Sequence, residues 1–224
     1  MSSVMTNIPK KILQIAIGNN YVSYIQLQKI KTQILSLNSS YEYFILNDND
    51  CITFLANNFP NFINTYFTIN KPQHKSDLIR YLWLYKHGGI YIDIDLLFLC
   101  PFDYLLNVTN NPDCFFEIGA HHQGKLELAN GVIGTYINNP IFLELANQIR
   151  FNPNPVDYGQ NVKDIYYLVK TLCKKSYLSS FETELIYNKK TYFLQERQIE
   201  DKYYTFINNN DIIALSNGHM KISI

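Results

Sequence analysis

The stretch HKSDLIRYLWLYKHGGIYIDIDLLFLC, residues 74–100, decides the fold and contains most of the candidate site. Leu78, Leu82 and Tyr85 recur at the spacing of one buried helical face, so a helix is predicted before the glycine pair at 88–89. Glycine adopts a positive φ without strain, which suits a helix end followed by a turn. The next residues, IYIDIDLLF, alternate as a β-strand does. The stretch therefore predicts a helix, a turn and a strand in succession.

The predicted strand carries two carboxylates, Asp93 and Asp95, on the same face as Tyr91. Burying bare charges on an otherwise apolar strand is costly, and a divalent cation would offset that cost. Asp95 offers the hard oxygen ligand that Mn²⁺ or Mg²⁺ accepts. An Asp pair at a strand end can instead be a solvated rim, and the short motif DxD also occurs by chance. The pattern alone leaves both interpretations open.

The helix before the glycines adds two charged side chains, Asp77 and Arg80. They are three residues apart, so they emerge next to one another on the helix. The guanidinium fork of Arg80 can hold a phosphate or a sugar hydroxyl. The alternative is a simple ion pair between Arg80 and Asp77. Together with the two aspartates of the strand, these residues predict a site for a diphosphate-linked substrate.

Two further strands are predicted upstream, KILQIAIG at 11–18 and YEYFILND at 41–48. A helix over 21–37 lies between them, and a second helix follows, with Asp48 or Asn49 as its expected cap. Strands that alternate with helices at this spacing favour parallel βαβ units.

Polar residues cluster at the predicted strand ends. Gly18, the pair Asn47–Asp48 and the segment Asp93–Asp95 each follow one of these strands. In open α/β sheets, ligands bind beyond the carboxyl ends of the parallel strands. We therefore expect these residues to converge on one ligand site.

Composition limits the class of protein. A chain of 224 residues that is 47% hydrophobic and 15% aromatic can bury a core as one domain. Its formal net charge is zero, so nothing favours nucleic acid or an anionic membrane as partner. The four cysteines are widely spaced and form no CxxC pair, which is typical of reduced thiols. Because no apolar leader or membrane-length run occurs, we expect a cytoplasmic or otherwise soluble protein.

The segment KSDLIRYLWLYKHGGIYIDID, residues 75–95, resembles the DXD region of glycosyltransferase family 32. That family includes fungal Golgi α-mannosyltransferases and α-1,4-galactosyltransferases, and it is related to the catalytic domains of clostridial glucosylating toxins. The residues in register with the family motif are Ser76, Asp77, Arg80, Tyr81, Gly88, Gly89, Tyr91, Asp93 and Asp95. Weaker similarity spans most of the chain.

The resemblance implies an α/β fold of the GT-A type, a Rossmann-like nucleotide-binding sheet flanked by helices. It implies one domain over residues 1–224, with the nucleotide-sugar part over about 1–100 and the acceptor part over about 101–224. It further implies a metal-dependent (Mn²⁺ or Mg²⁺) retaining glycosyltransferase. The donor would be a nucleotide-diphosphate sugar, with UDP favoured and GDP possible, and the acceptor a hydroxyl of a glycan, a protein or a small molecule.

The resemblance also implies roles for single residues. Asp95 would hold the metal, while Asp93 would hold the ribose or sugar and reach the metal through water. Asp77 would accept hydrogen bonds from sugar hydroxyls, and Arg80 would stabilise the leaving diphosphate. Asn130 matches a family residue that helps to hold the donor sugar, and its alternative role is that of a turn residue before a glycine.

The nucleotide would lie at the first two strand ends. The opening strand of the family holds the base through backbone groups and an aromatic ring, which places Gln14, Ile15 and Ala16 at the base. Ala16 stands where the family commonly has tryptophan, so another ring, such as Tyr91, would have to stack on the base. Asn47 or Asp48 matches the polar end of the second strand. The expected nucleotide and donor contacts are Gln14, Ile15, Ala16, Asn47, Ser76, Tyr91 and Asp93.

The second half of the chain carries weaker signals. Residues 101–114 are predicted to be a turn-rich connection, 114–120 a strand and 162–175 a helix. The HHQG segment at 121–124 lacks a third ligand at a suitable spacing, so no metal site is predicted there. The last strand of the family completes the metal shell, a role that would fall to His219 in preference to Asn217. The alternative for this tail is a frayed terminus.

Two rival functions remain open. A phosphatase of the haloacid dehalogenase type also uses DxD on a strand, but it needs Thr or Val where this chain has Leu97, and it places the motif on the first strand. A non-catalytic nucleotide-sugar-binding module with a vestigial site is the other rival. Metal-dependent hydrolysis of the donor would separate an enzyme from such a binder. The oligomeric state is not predicted.

Overall fold

The computed structural model describes residues 8–18, 24–121, 125–156, 182–185, 189–199, 202–206 and 212–216. The helices are α1 (Tyr24–Leu37), α2 (Asp48–Asn58), α3 (Ile63–Thr68), α4 (Pro72–His87), α5 (Phe102–Val108) and α6 (Pro140–Phe151), with a 3₁₀ turn at Pro60–Phe62. The strands are β1 (Lys11–Ile15), β2 (Glu42–Leu46), β3 (Gly89–Ile92), β4 (Leu96–Phe98), β5 (Cys114–His121), β6 (Lys125–Thr135), β7 (Glu182–Leu185), β8 (Lys189–Ile199), β9 (Lys202–Phe206) and β10 (Ile212–Ser216).

The first half of the chain is the predicted parallel unit. β1 lies between β2 and β3 and pairs with both in parallel. Four of its five residues are buried, as expected of a central strand covered by helices on both faces. The carboxyl ends of these strands meet at one edge, where the backbone N–H of Ala16 donates to the carbonyl of Leu46 at 2.8 Å.

The second half departs from the predicted alternation. β6 pairs antiparallel with both β3 and β5, and the chain between β5 and β6 is too short for a crossover helix. β8 then pairs in parallel with β5, and β9, β10 and β4 follow in antiparallel pairing. The sheet order is β2-β1-β3-β6-β5-β8-β9-β10-β4, with β7 beside β8. The parallel βαβ pattern is thus confirmed for β1 to β3, whereas the later strands pair mostly antiparallel.

β4 follows β3 in the chain but lies at the opposite end of the sheet order. Only Asp93–Asp95 connect the two strands. So short a link spans no more than about 14 Å even when fully extended. The sheet must therefore be curved, so that β4, the last strand of the order, lies next to the carboxyl end of β3.

Two hydrophobic clusters cover the two faces of the sheet. The first packs α2, α4 and α6 against Leu13, Tyr91 and Ile133, and the second packs α1 and α5 against Ile12 and Ile90. In α4 the predicted face is confirmed: Leu78 and Leu82 are buried, and Tyr85 is partly buried against the same cluster. α4 therefore lies along the sheet with its polar residues near the carboxyl ends of the strands.

The glycine pair ends α4 as predicted. Gly88 and Gly89 have φ of 60° and 95°, in the region that favours glycine. A Cβ on Gly89 would lie 2.6 Å from the carbonyl oxygen of Lys11, so the close approach to β1 also requires glycine.

Of three predictions about local structure in the second half, one needs correction, one is confirmed and one lies outside the described residues. The connection at 101–114 contains α5, which is held because Phe102 and Leu105 are buried and the Phe102 N–H donates to Asn38 Oδ1 at 2.7 Å. The strand at 114–120 is confirmed as part of β5. The predicted helix at 162–175 lies outside the described residues. Within those residues, no helix combines the length and apolar character needed to cross a bilayer.

Candidate active site

The two aspartates of the DxD motif lie in a turn, not in one continuous strand. β3 ends at Ile92, where its ladder with β6 ends, and Asp93–Asp95 form a turn before β4. The N–H of Leu96 donates to the Asp93 carbonyl at 3.2 Å and closes this turn. The prediction of a single strand over IYIDIDLLF is therefore wrong. Asp93 and Asp95 are both partly exposed at the carboxyl edge of the sheet.

Asp93 is fixed by one of its carboxylate oxygens. Its Oδ1 accepts hydrogen bonds from the Tyr91 hydroxyl at 2.5 Å and from Arg80 Nη2 at 3.1 Å. Tyr91 and Asp93 thus lie on one face, as the alternation predicted. Burial, opposed by Arg80 and reinforced by Asp93, raises the pKa of Tyr91 well above its usual value, so the hydroxyl keeps its proton and donates. The second oxygen of Asp93 is left for other contacts.

Arg80 is the centre of the site. Its side chain is only 5% exposed, and its guanidinium lies 4.0 Å from the centre of the Tyr91 ring. It donates to the Tyr91 hydroxyl at 2.8 Å and to the backbone carbonyl of Asn130, and it lies 3.6 Å from Asp77 Oδ1. Burial opposes the charged form, but Tyr91, Asp93 and Asp77 together raise the pKa of Arg80. The guanidinium therefore stays charged and binds both carboxylates at once.

Asn130 joins this group from β6. Its side-chain Nδ2 donates to Asp77 Oδ1 at 2.8 Å, while its carbonyl accepts from Arg80. It is not the turn residue of the alternative interpretation but lies within β6, where the pairing with β5 shifts from Phe116–Ile133 to Glu117–Ala129. This irregularity frees the Asn130 carbonyl from the ladder and makes it available to Arg80. The structure thus brings together Asp77, Arg80, Asn130 and Asp93.

The expected nucleotide residues fall into two groups. Gln14 and Ile15 are 0% and 5% exposed, so their side chains point into the protein and only their backbone could contact a ligand. Ala16, in contrast, is partly exposed where β1 ends. Ser76 is partly exposed on α4, and its side chain hydrogen-bonds to that of Tyr91. Tyr91 is 1% exposed, so neither face of its ring is open to a stacking base.

The ends of β1 and β2 meet as predicted, because the N–H of Gly18 donates to Asp48 Oδ2 at 3.1 Å. Asn47 is the N-cap of α2, and its side chain accepts from the N–H groups of Asn49 and Asp50. The prediction that Asp48 or Asn49 caps this helix is therefore wrong. The reason is that the capping box pairs Asn47 with Asp50, three residues later.

Glu117 is a site residue that the sequence did not reveal. It is 3% exposed on β5. A Cβ built on Gly131 would lie 3.1 Å from Asp93 Oδ2 and 3.5 Å from Glu117 Oε2, so both carboxylates border the space that this glycine leaves open. The available signal was a glutamate inside the apolar run CFFEIGA, because a charged residue on a buried strand is costly.

The oxygen donors of the turn fit a hard divalent cation, since carboxylate oxygens are the ligands that Mn²⁺ and Mg²⁺ accept. Asp95 is partly exposed, and Asp93 keeps Oδ2 outside its bonds to Tyr91 and Arg80. In the described segments, no group of three or more His, Cys, Asp or Glu side chains could hold a metal ion by itself. Any metal would therefore need oxygens from a ligand or from the rest of the chain. His219 and Asn217 lie outside the described residues.

The sequence around this site is similar to that of a known protein family. Residues 26–114 match the family described as "Glycosyltransferase sugar-binding region containing DXD motif". The matched region contains three of the grouped site residues, Asp77, Arg80 and Asp93, together with Ser76 and Asp95. Asn130 lies beyond it.

Several curated proteins that are similar to this chain are glycosyltransferases by name. Inositol phosphoceramide mannosyltransferase 3 of Schizosaccharomyces pombe is 26% identical over 51% of this chain and 30% of its own length. Glycosyltransferase L373 of Acanthamoeba polyphaga mimivirus, itself uncharacterised, is 29% identical over 60% of this chain and 53% of its own length. The alignments thus span 30% and 53% of the length of these two relatives.

The fold of this chain has a counterpart among solved structures. The structure titled "PaToxG Glycosyltransferase" superposes with a TM-score of 0.52 and 18% identity, covering 74% of this chain and 70% of that one. This likeness supports the GT-A-type α/β fold that the sequence predicted.

Proposed function

We propose that this chain is the catalytic part of a metal-dependent, retaining glycosyltransferase that takes its sugar from a nucleotide diphosphate. A UDP-sugar is favoured and a GDP-sugar is possible, and the acceptor is a hydroxyl of a glycan, a protein or a small molecule. The observation that carries the proposal is the assembly of Asp77, Arg80, Asn130 and Asp93 beside Asp95. All of these residues except Asn130 lie in the region that matches the DXD glycosyltransferase family.

The reaction breaks the bond between the anomeric carbon and the diphosphate oxygen, so negative charge develops on the leaving diphosphate. A bound Mn²⁺ or Mg²⁺ supplies positive charge next to that diphosphate and thereby favours its departure. The chain itself has to hold the donor so that the anomeric carbon faces the acceptor and water is excluded.

The three carboxylates, Asp77, Asp93 and Asp95, would have different roles in holding the donor, according to their positions. Asp95, in the partly exposed turn, would hold the metal, and Asp93 would contact the ribose or sugar. Asp77 would accept from sugar hydroxyls, which selects among sugars. Because Arg80 is nearly buried and already bonded to protein groups, its first effect would be to fix these two carboxylates, while its charge also stabilises the developing diphosphate.

The C-terminal tail is a further part of the proposal. Ser216, the last residue of β10, is paired with Leu96, the residue that follows Asp95. The chain therefore leaves β10 next to the carboxylate turn, which supports a role of His219, or of Asn217, in the metal shell. Neutral imidazole is an acceptable ligand for Mn²⁺.

The test is a screen of nucleotide sugars for Mn²⁺-dependent release of nucleotide by the purified protein. UDP-glucose, UDP-galactose and GDP-mannose are compared; GDP-mannose is included because several relatives are named mannosyltransferases. Asp95→Asn keeps the shape of the side chain but removes its charge, so turnover should fall at least 100-fold without loss of thermal stability.

The matched control is Asp103→Asn on α5, which removes an exposed carboxylate whose partner, Lys10, precedes β1 at the far edge of the sheet. Turnover of this control should stay within about twofold of the wild type. Tight, metal-dependent nucleotide binding without any turnover would favour a binding module instead. Turnover that survives in Asp95→Asn or in excess chelator would refute the metal role.

A further inference from the structure

Gln14 is a fully buried polar side chain that the proposed reaction does not use. It lies on β1 and is 0% exposed. Its Nε2 donates to the backbone carbonyl of Asp93 at 3.2 Å, and its Oε1 accepts from the Tyr43 hydroxyl on β2 at 2.5 Å. A buried amide is stable only when its donors and acceptors are paired, and both ends of Gln14 are paired.

Gln14 contacts Asp93 at the point where the backbone pairing of β1 with β3 ends. β1 and β3 pair only through Ile12–Ile90 and Leu13–Tyr91. Asp93 lies two residues beyond Tyr91, and on its other side its N–H still donates to the Gly131 carbonyl of β6 at 2.8 Å. On the β1 side the Gln14 amide takes the place of the missing ladder bond.

The bond constrains the direction of the turn. The Asp93 carbonyl accepts from Gln14 on one side and from the Leu96 N–H at 3.2 Å on the other. Two donors on one carbonyl fix the plane of the peptide that joins Asp93 to residue 94, because the peptide group is rigid. That plane sets where the chain goes next, and therefore where the Asp95 side chain begins.

We propose that Gln14, itself held by Tyr43, is a positioning residue that orients the Asp93–Asp95 turn, and does not bind the nucleotide through its side chain. The expected effect of Gln14 on catalysis rests on the proposed function, but its expected effect on the turn does not. Burial raises the pKa of Tyr43 to about 12, so its hydroxyl stays protonated and keeps donating to Gln14 at physiological pH.

The test uses two variants and a matched control. Gln14→Met keeps the length of the side chain but removes both hydrogen bonds, and Tyr43→Phe removes only the hydroxyl that holds Gln14. The control, Tyr41→Phe, lies two residues from Tyr43 and loses one hydroxyl as well, but that hydroxyl donates to Asp103 at 2.8 Å, away from the turn.

The first readout is amide hydrogen exchange in the metal-free protein. Exchange at Leu96, whose N–H donates to Asp93, should accelerate at least fivefold in Gln14→Met and less in Tyr43→Phe. It should be unchanged in the control. The second readout is steady-state kinetics with the active donor. Because small misplacements of catalytic groups cost up to about 100-fold, kcat should fall at least tenfold in Gln14→Met, with the donor KM within about twofold.

The outcomes separate the two proposals. Unchanged exchange at Leu96 in a folded Gln14→Met variant would overturn the positioning role. A raised KM with unchanged kcat would instead mean that Gln14 contacts the nucleotide. If the wild-type protein turns over no donor at all, the proposed function fails, while the exchange measurement still decides whether Gln14 orients the turn. Should Gln14→Met not fold, Tyr43→Phe against Tyr41→Phe makes the same comparison.

Discussion

Replacing Arg80 with methionine should destabilise the protein by about 3 kcal/mol at pH 7. Methionine retains apolar contact with the Tyr91 ring but removes the cation between Asp93, at 3.1 Å, and Asp77, at 3.6 Å. At an effective dielectric constant of about 20, each attraction is worth about 5 kcal/mol before desolvation is counted. Breaking a buried pair typically costs about 3–5 kcal/mol. We expect the lower end because the Asp93 side chain is 35% exposed and water replaces part of what it loses.

The cost of Arg80→Met should depend on pH. The Asp77 side chain is 10% exposed, so losing the nearby guanidinium should raise the pKa of its carboxyl in the folded variant relative to the folded wild type. A carboxyl with a raised folded pKa destabilises the fold increasingly as pH rises. The difference in unfolding free energy between variant and wild type should therefore shrink by about 1 kcal/mol from pH 7 to pH 4.5.

The measurement is urea unfolding at both pH values, with Arg150→Met as control. Arg150 is exposed and lies 5.6 Å over the Phe62 ring, so its loss should cost less than about 1 kcal/mol. The double variant Arg80→Met with Asp77→Asn should lose less unfolding free energy than the two single variants together. The reason is that it no longer carries the Asp77 carboxylate that has lost its guanidinium partner. A cost below about 1 kcal/mol for Arg80→Met, equal at both pH values, would refute this account of the site.

Two further predictions test the sheet and the thiols. Gly134→Ala should destabilise by about 1–3 kcal/mol in urea unfolding, because its Cβ would lie 2.1 Å from the Phe115 ring; a neutral effect would mean that β5 and β6 pack less closely than described. Burial raises the pKa of Cys51 to about 12 and that of Cys100 to about 11, so both should remain thiols at pH 8 and react slowly with iodoacetamide until the protein is unfolded. Rapid alkylation of Cys51 in the native protein, mapped by mass spectrometry, would contradict its 0% exposure.

The sequence predicted the features that depend on local pattern. The helical face of Leu78 and Leu82 and the turn at Gly88–Gly89 follow from periodicity and from the conformational freedom of glycine. The meeting of Gly18 with Asp48 follows from the rule that parallel strands end at one edge of the sheet. Each of these features can be predicted from residues that are close in sequence or from a general rule of topology.

The contacts of the site could not be predicted in the same way. The Arg80 guanidinium binds a backbone carbonyl 50 residues away, at a sheet irregularity that no side-chain pattern encodes. Gln14 reaches Asp93 across 79 residues because one ladder ends short, and ladder length depends on the packing of the whole sheet. The sequence did not reveal the break after Ile92 either. A strand that is interrupted by three residues and then resumes keeps the same alternation of inward and outward side chains.

The position of the carboxylate turn has a mechanical consequence. Asp93–Asp95 join β3 to β4, and β4 is held in turn by β10. The turn therefore joins the two ends of the curved part of the sheet. Because the link is only three residues long, the two aspartates cannot move far unless β4, and with it β10, moves as well. A substitution that loosens the pairing of β4 with β10 should therefore change the position of the aspartates through the chain itself.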